Sequence, residues 1–169
     1  MTCLPLLFPE FSRIWASASS YLSQRLALHQ DVYIPGLGTF AVVRQQVVSK
    51  KNLVSVVRPV FRLAKAIVQD HGLRYSHTDI PGHRHVEQLP CAQIASDNAV
   101  SESTVRHYIE RTIRQFQVCL ENKQNVTLVW RDVAMVIIQG KDVHTKFHMG
   151  FLQRLNGTAK VLEALLEVD

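Results

Sequence analysis

The stretch Val32-Tyr33-Ile34-Pro35-Gly36-Leu37-Gly38-Thr39-Phe40 decides the fold. β-branched and aromatic residues run into a Pro-Gly-x-Gly turn, and an apolar run from Thr39 to Val43 leaves it. That order reads as strand, glycine turn, strand. Gly36 and Gly38 are turn residues that tolerate positive φ, not a nucleotide fingerprint, which needs a helix straight after its glycines. Upstream, Phe11, Ile14, Trp15, Ala18, Leu22 and Leu26 recur in steps of three and four, which predicts one helical stripe between Pro9 and Leu28. Downstream, Arg44 to Val57 gives two short β-rich halves around Ser49-Lys50-Lys51-Asn52, a hairpin with a basic polar tip. After Pro59, the spacing of Val60, Phe61, Ala64, Ile67 and Val68 predicts a helix over 60–69, closed by His71-Gly72.

The plan then recurs. Leu73 to Leu89 carries little apolar pattern and reads as a linker or a loop packed on the surface. Leu89 to Asn98 is a short helix candidate, and Ser101 or Ser103 can cap the next helix, with Glu102 in its first turn. Val105, Ile109, Ile113, Phe116 and Leu120 form its stripe. Strands follow at Val126–Trp130, Val133–Ile138 and Val143–Phe147, with turns at Arg131-Asp132 and Gly140-Lys141-Asp142. A short helix is expected near Phe151–Leu155, and Thr158 would cap a last one bearing Val161, Leu162, Leu165 and Leu166. Helix, strand, turn, strand, ribbon, helix thus occurs twice, which implies two copies of one small domain: 1–73, a linker 74–88, and 89–169. A lone copy would bury little core, so back-to-back pairing is the physical remedy. A single irregular α+β domain is the alternative. The expected core is Trp15, Leu22, Leu26, Ile34, Phe40, Phe61, Ile109, Ile113, Phe116, Leu128 and Trp130.

The formal charge of +5 is unevenly placed: residues 1–85 carry +6, and residues 86–169 carry −1. That asymmetry argues against a uniform polyanion-binding surface. Three cysteines, Cys3, Cys91 and Cys119, lack CxxC spacing and read as reduced and intracellular. The start has no basic n-region, and Pro5 and Pro9 break its apolar run, so it reads poorly as a signal peptide. No apolar run reaches the roughly 18 residues of a membrane helix, so no membrane partner is expected. His83-Arg84-His85, with His77, Asp79 and Cys91 nearby, matches no zinc spacing and reads as solvated linker. Asp97 and His107 lack an accompanying nucleophile. No cofactor, metal or catalytic residue is expected, and the chain is read as a non-enzyme.

With those residues in view, Val32-x-Ile34-Pro35-Gly36-Leu37-Gly38-Thr39-Phe40 resembles the HU/IHF signature, and Arg58-Pro59-Val60-Phe61-Arg62-Leu63-Ala64-Lys65 resembles the segment that closes its arm. Ile94 through Ser101 to Val126-x-Leu128 resembles that fold's opening two-helix hairpin. The whole chain is similar to the N-terminal region of the coiled-coil domain-containing protein 81 family. The similarity runs through Ile14-Trp15, Leu28-His29, Val68-x-x-His71-Gly72-Leu73, Lys123-Gln-Asn-Val126 and Phe151-Leu152. The resemblance implies an α+β fold of two tandem HU/IHF-like domains, each a helical hairpin plus a small antiparallel sheet, packed as a pseudo-dimer. It also implies a centrosomal or cytoskeletal location, protein partners, and a coiled-coil-prone region further along the full-length protein.

The departures bear on function. DNA bending by such a fold uses a long two-stranded arm with a proline wedge at its tip. Only 13 residues, Arg44 to Val56, separate strand from closing segment here, and the tip Ser49–Asn52 has no proline. In the second copy Asp132-Val133-Ala134-Met135 replaces the glycine turn. Arg44, Lys50, Lys51, Arg58, Arg62 and Lys65 could contact phosphate or a protein partner. They also fit an ordinary solvated edge whose charges discourage aggregation, and charge balance favours that second reading. The functional expectation is a protein-interaction scaffold of two degenerate domains, paired within one chain or as a homodimer. An architectural DNA-binding protein using the basic first domain is the alternative.

Overall fold

The apolar stripe of the first helix anchors the core. In the computed structural model, which describes residues 2–5, 9–75 and 85–157, helix α1 spans Pro9–Ala27, and Ile14, Trp15, Ala18, Leu22 and Leu26 are at most 3% exposed. The helix ends without glycine. His29 takes the left-handed conformation, its N–H donates to the Leu26 carbonyl, and the Gln30 N–H reaches back to the Arg25 carbonyl. This is the Schellman closure. The corresponding helix of the second half, α4 (Glu102–Glu121), closes the same way: left-handed Lys123 bonds Leu120, and Gln124 bonds Cys119.

Three strands follow each of these helices. Asp31–Ile34 (β2), Gly38–Ser49 (β3) and Asn52–Leu63 (β4) lead to helix α2 (Lys65–His71). Val126–Trp130 (β6), Ala134–Gln139 (β7) and Asp142–Phe147 (β8) lead to helix α5 (Met149–Asn156). The turns match as well. The Leu37 N–H donates to the Ile34 carbonyl and the Val133 N–H to the Trp130 carbonyl, with positive φ at Gly36 and Asp132. Asp132 thus takes the place of the glycine, an Asx tolerance of the left-handed region.

The halves exchange edge strands. The short β1 (Thr2–Leu4), ahead of α1, pairs parallel with β6 of the second half. The short β5 (Val86–Glu87), ahead of helix α3 (Cys91–Asn98), pairs parallel with β2 of the first. Two four-stranded sheets result, β1-β6-β7-β8 and β4-β3-β2-β5. Each is thereby mixed, where the sequence suggested small antiparallel sheets. Reciprocal exchange of this kind is the mark of a two-fold-related pair.

One hydrophobic core runs through both halves and contains all eleven residues expected from the sequence. The Trp15 and Trp130 rings lie 4.4 Å apart, Phe40 meets Trp130 edge-on at 5.7 Å, and Phe11 stacks on Tyr108 at 5.1 Å. Burial pushes the Tyr108 phenol up to about 12, as desolvation disfavours the phenolate. Polar bonds fix the same seam. Trp15 Nε1 donates to the Val129 carbonyl at 2.6 Å, the Arg131 N–H to Ser19 Oγ at 3.0 Å, and Gln117 Nε2 to the Gly36 carbonyl at 2.7 Å.

The structure corrects several expectations. Val60–Leu63 belongs to β4, not to a helix. Phe61 lies opposite Phe40, and only at Lys65 does α2 begin. The apolar spacing over 60–69 therefore joins the end of a strand to a short helix, since a brief apolar run fits either period. The ribbon is not two short halves either: β3 and β4 pair without interruption over twelve positions. A helical hairpin, α3 with α4, opens the second half, whereas among the described residues α1 alone serves the first. The expected helix from Thr158 and the middle of the linker, including His77, Asp79 and His83, lie outside the described residues. The linker's ends are tied down: the Arg74 N–H donates to the Lys141 carbonyl, and Arg74 pairs with Asp142 at 3.0 Å.

Because Trp15 packs across the seam, Trp15→Ala should destabilise both halves together, by about 3–5 kcal/mol. Circular dichroism and calorimetry should show one transition shifted down, not one half melting early. The seam also carries a pH dependence. Tyr21 Oη donates to Asp97 Oδ2 at 2.6 Å between α1 and α3, and this bond, with a second from Gln93, holds the Asp97 carboxyl below its ordinary value. A depressed carboxylate stabilises above its unfolded pKa, and that stabilisation is lost as pH falls through the lower folded value. Tyr21→Phe should therefore flatten the acid side of the stability curve, as read by denaturant melts across pH.

Candidate partner-binding site: the basic ribbon

Between Asp31 and Asp70 the chain carries no acidic residue, while Arg44, Lys50, Lys51, Arg58, Arg62 and Lys65 all fall within that interval. All but the last lie on the β3–β4 ribbon or its turn; Lys65 opens α2. The regular register settles which face each occupies, because directly opposed residues share a face and neighbours alternate. One face carries the pairs Phe40–Phe61, Val42–Pro59, Arg44–Val57, Gln46–Ser55 and Val48–Leu53. The other carries Thr39–Arg62, Ala41–Val60, Val43–Arg58, Gln45–Val56 and Val47–Val54. The first face is core at its base, where Phe40 and Phe61 sit 4.5 Å apart, and exposed toward the tip. The second is exposed at Arg62, and toward the tip it is buried, with Val47, Val54 and Val56 packed on Leu152.

The six bases are therefore not gathered on one surface. Arg44 shares the exposed face with Val48 and Leu53, while Arg58 and Arg62 lie on the opposite face, Arg58 half-buried. Lys50 and Lys51 form the apex, both with positive φ, as a two-residue hairpin turn of matching twist requires. Arg44 and the apex are about 20 Å apart along the strand, at roughly 3.3 Å per residue.

Helix α5 clasps the ribbon from the second half. The Asn156 amide takes both exposed groups of one β4 residue: Oδ1 accepts from the Val57 N–H at 2.8 Å, and Nδ2 donates to the Val57 carbonyl at 3.0 Å. Leu152 supplies the apolar contact one helical turn earlier. Because β4 is an edge strand, these bonds matter twice. Pro59, two residues on, has no N–H to offer, and Tyr75 Oη donates to the Phe61 carbonyl at 3.4 Å. Three successive outward positions are thus closed to a pairing strand. Nothing in the sequence signalled the clasp; Asn156-Gly157 reads only as a helix end.

The turn residues have structural jobs. Phe40 is fully buried in the shared core rather than presented at the surface. Gly36 has φ +78°, and a Cβ there would press on Gln117. At Gly38 a Cβ would collide with the Arg62 carbonyl, because the β4 backbone passes directly over it.

The remaining candidates offer little chemistry. A groove of about 460 Å³ between Pro35-Gly36 and α4 is lined by Glu110, Glu121, Arg114 and Gln117, charges of both signs. Asp97 is engaged by Tyr21 and Gln93. His85 bonds Glu87 at 3.2 Å, and Glu87 pairs with Arg25 at 3.0 Å. Burial raises the Cys91 and Cys119 thiols, the reverse of what activates a nucleophile. Among the described residues no three His, Cys, Asp or Glu side chains converge as a metal site, and no helix is long and apolar enough to cross a membrane.

Two copies of a helix–three-strand–helix unit with a paired ribbon, exchanging edge strands over a common core, define a tandem HU-like protein. Residues 8–75 match the family model described as CCDC81 eukaryotic HU domain 1, and residues 85–159 match CCDC81 eukaryotic HU domain 2. The chain belongs to this family, with its two HU domains in tandem.

Gly38→Ala should cost about 2–4 kcal/mol, since the obstruction is backbone and cannot turn aside. Gly36→Ala should cost less, since its neighbours are side chains. Urea unfolding of the two variants gives the comparison.

Proposed function

We propose that this chain is a non-enzymatic protein-interaction module, two degenerate HU-like domains locked into one body that scaffolds or targets a larger assembly. Family membership supports the HU-like framework, and HU-like domains are not typically enzymatic. The observation that carries the reading is the clasp. The ribbon corresponding to the DNA-gripping arm of this fold is held down by Asn156 and Leu152 of α5. Its tip has no proline, so it has neither the freedom nor the wedge for minor-groove bending. The centrosome is the location this reading favours, by the resemblance of the family.

A second reading is architectural DNA binding. The acid-free interval from Asp31 to Asp70 favours it, because six bases can neutralise backbone phosphates whatever the sequence. The two readings part on salt dependence. Fluorescence anisotropy with a random-sequence duplex should show no saturable binding at physiological salt, and only weak, steeply salt-dependent binding at low salt. Low-micromolar binding at physiological salt that Lys50→Glu with Lys51→Glu abolishes would establish the DNA reading instead.

A further inference from the structure

The tip of the ribbon is aliphatic on both faces, and only one face is covered. Val47 and Val54, opposite each other, are 7% and 8% exposed beneath Leu152 of α5. Val48 and Leu53, the next pair, point the other way and are 73% and 66% exposed. A solvent-facing ribbon normally alternates apolar with polar residues, and its open face carries no reason to place two large aliphatics side by side. Val48 and Leu53 lie between positive charges: Arg44 on the same face toward the base, Lys50 and Lys51 beyond them at the apex. Gln46 and Ser55 fill the intervening pair. The surface is thus an aliphatic centre with a polar, cationic rim, the anatomy of a small binding patch. The opposite face of the tip is packed under Leu152 of α5.

Building on the interaction-module reading, we propose that the exposed Val48–Leu53 face is a docking site for an acidic amphipathic helix of a protein partner. Three observations select that occupant. The same ribbon already seats a short amphipathic helix, α5, on its other face through a leucine, which shows what shape the pleated pair accepts. Arg44 on the same face and Lys50 and Lys51 at the apex border the patch with no acid among the residues between them, which calls for Asp or Glu flanking the partner's apolar stripe. The outward edge of β4 is blocked at Val57, Pro59 and Phe61, so a strand added along β4 could not run past Ser55 toward the base. A duplex is the poorer fit, since Arg58 and Arg62 face away and the centre of the patch is apolar. A lipid surface would meet the lysines before the aliphatics.

The test uses the full chain and a synthetic helical peptide with leucines at i, i+3 and i+7 flanked by glutamates, followed by methyl NMR. Saturable shifts centred on the Val48 and Leu53 methyls are expected. Affinity should fall about tenfold or more in Val48→Ser/Leu53→Ser and in Lys50→Glu/Lys51→Glu, and be unchanged in Arg13→Glu. All three variants alter exposed side chains, so the melting temperature serves as the folding control. Absence of saturable shifts at those methyls, or equal binding of a peptide with lysines in place of the glutamates, overturns the proposal while leaving the interaction-module reading intact. A random duplex shifting the same methyls at physiological salt overturns both.

Discussion

Trp15 and Trp130, one from each half and 4.4 Å apart, set the constraint on which the rest of the molecule depends. Trp15 and Trp130 are 3% and 0% exposed, and each draws part of its cover from the other half, since a domain of about seventy residues has little interior for so large a side chain. Put face to face they bury one another, and Phe40, Tyr108 and Phe11 close around them. The Trp15 indole N–H finds its acceptor, the Val129 carbonyl, on the other half.

The exchanged strands and the clasp follow from that pairing. Once the halves are back to back, the segment ahead of each copy's first helix lies beside the other copy's sheet. β1 and β5 fill those edges. The first copy's ribbon then passes across α5 of the second copy, and Val47, Val54 and Val56 gain a cover that their own half does not provide. A dimer that uses its ribbons to embrace a ligand leaves them extended. Here the pairing uses one face of the ribbon's tip for internal packing and leaves the Val48–Leu53 face of the tip exposed.

Much of this was legible in the sequence because it is written in local periodicity. The helical stripes of α1 and α4, the Pro35-Gly36 turn and the eleven core residues all follow from spacing and side-chain type. The repeat could be read because two copies of one plan leave the same order of elements, even where Asp132 stands in for Gly36. Less legible were features that depend on what lies opposite. Phe61 fits a helical spacing until Phe40 is placed across from it. The length of the ribbon was hidden because Pro59 reads as a strand end, and only its place at the sheet edge makes it tolerable. Of the candidate site, the basic character was visible. The separation of Arg44 from Arg58 and Arg62 onto opposite faces needed the register, and the Asn156 clasp needed the fold.

The most direct test of the shared interior is an isotope-filtered NOE experiment on an equal mixture of labelled and unlabelled chain. If the two copies pair within one molecule, contacts between the Trp15 and Trp130 indole protons will appear in the ordinary spectrum and vanish when only between-chain transfer is selected. Their absence from the ordinary spectrum would contradict the common core. Their survival in the between-chain spectrum would assign the pairing to two separate molecules.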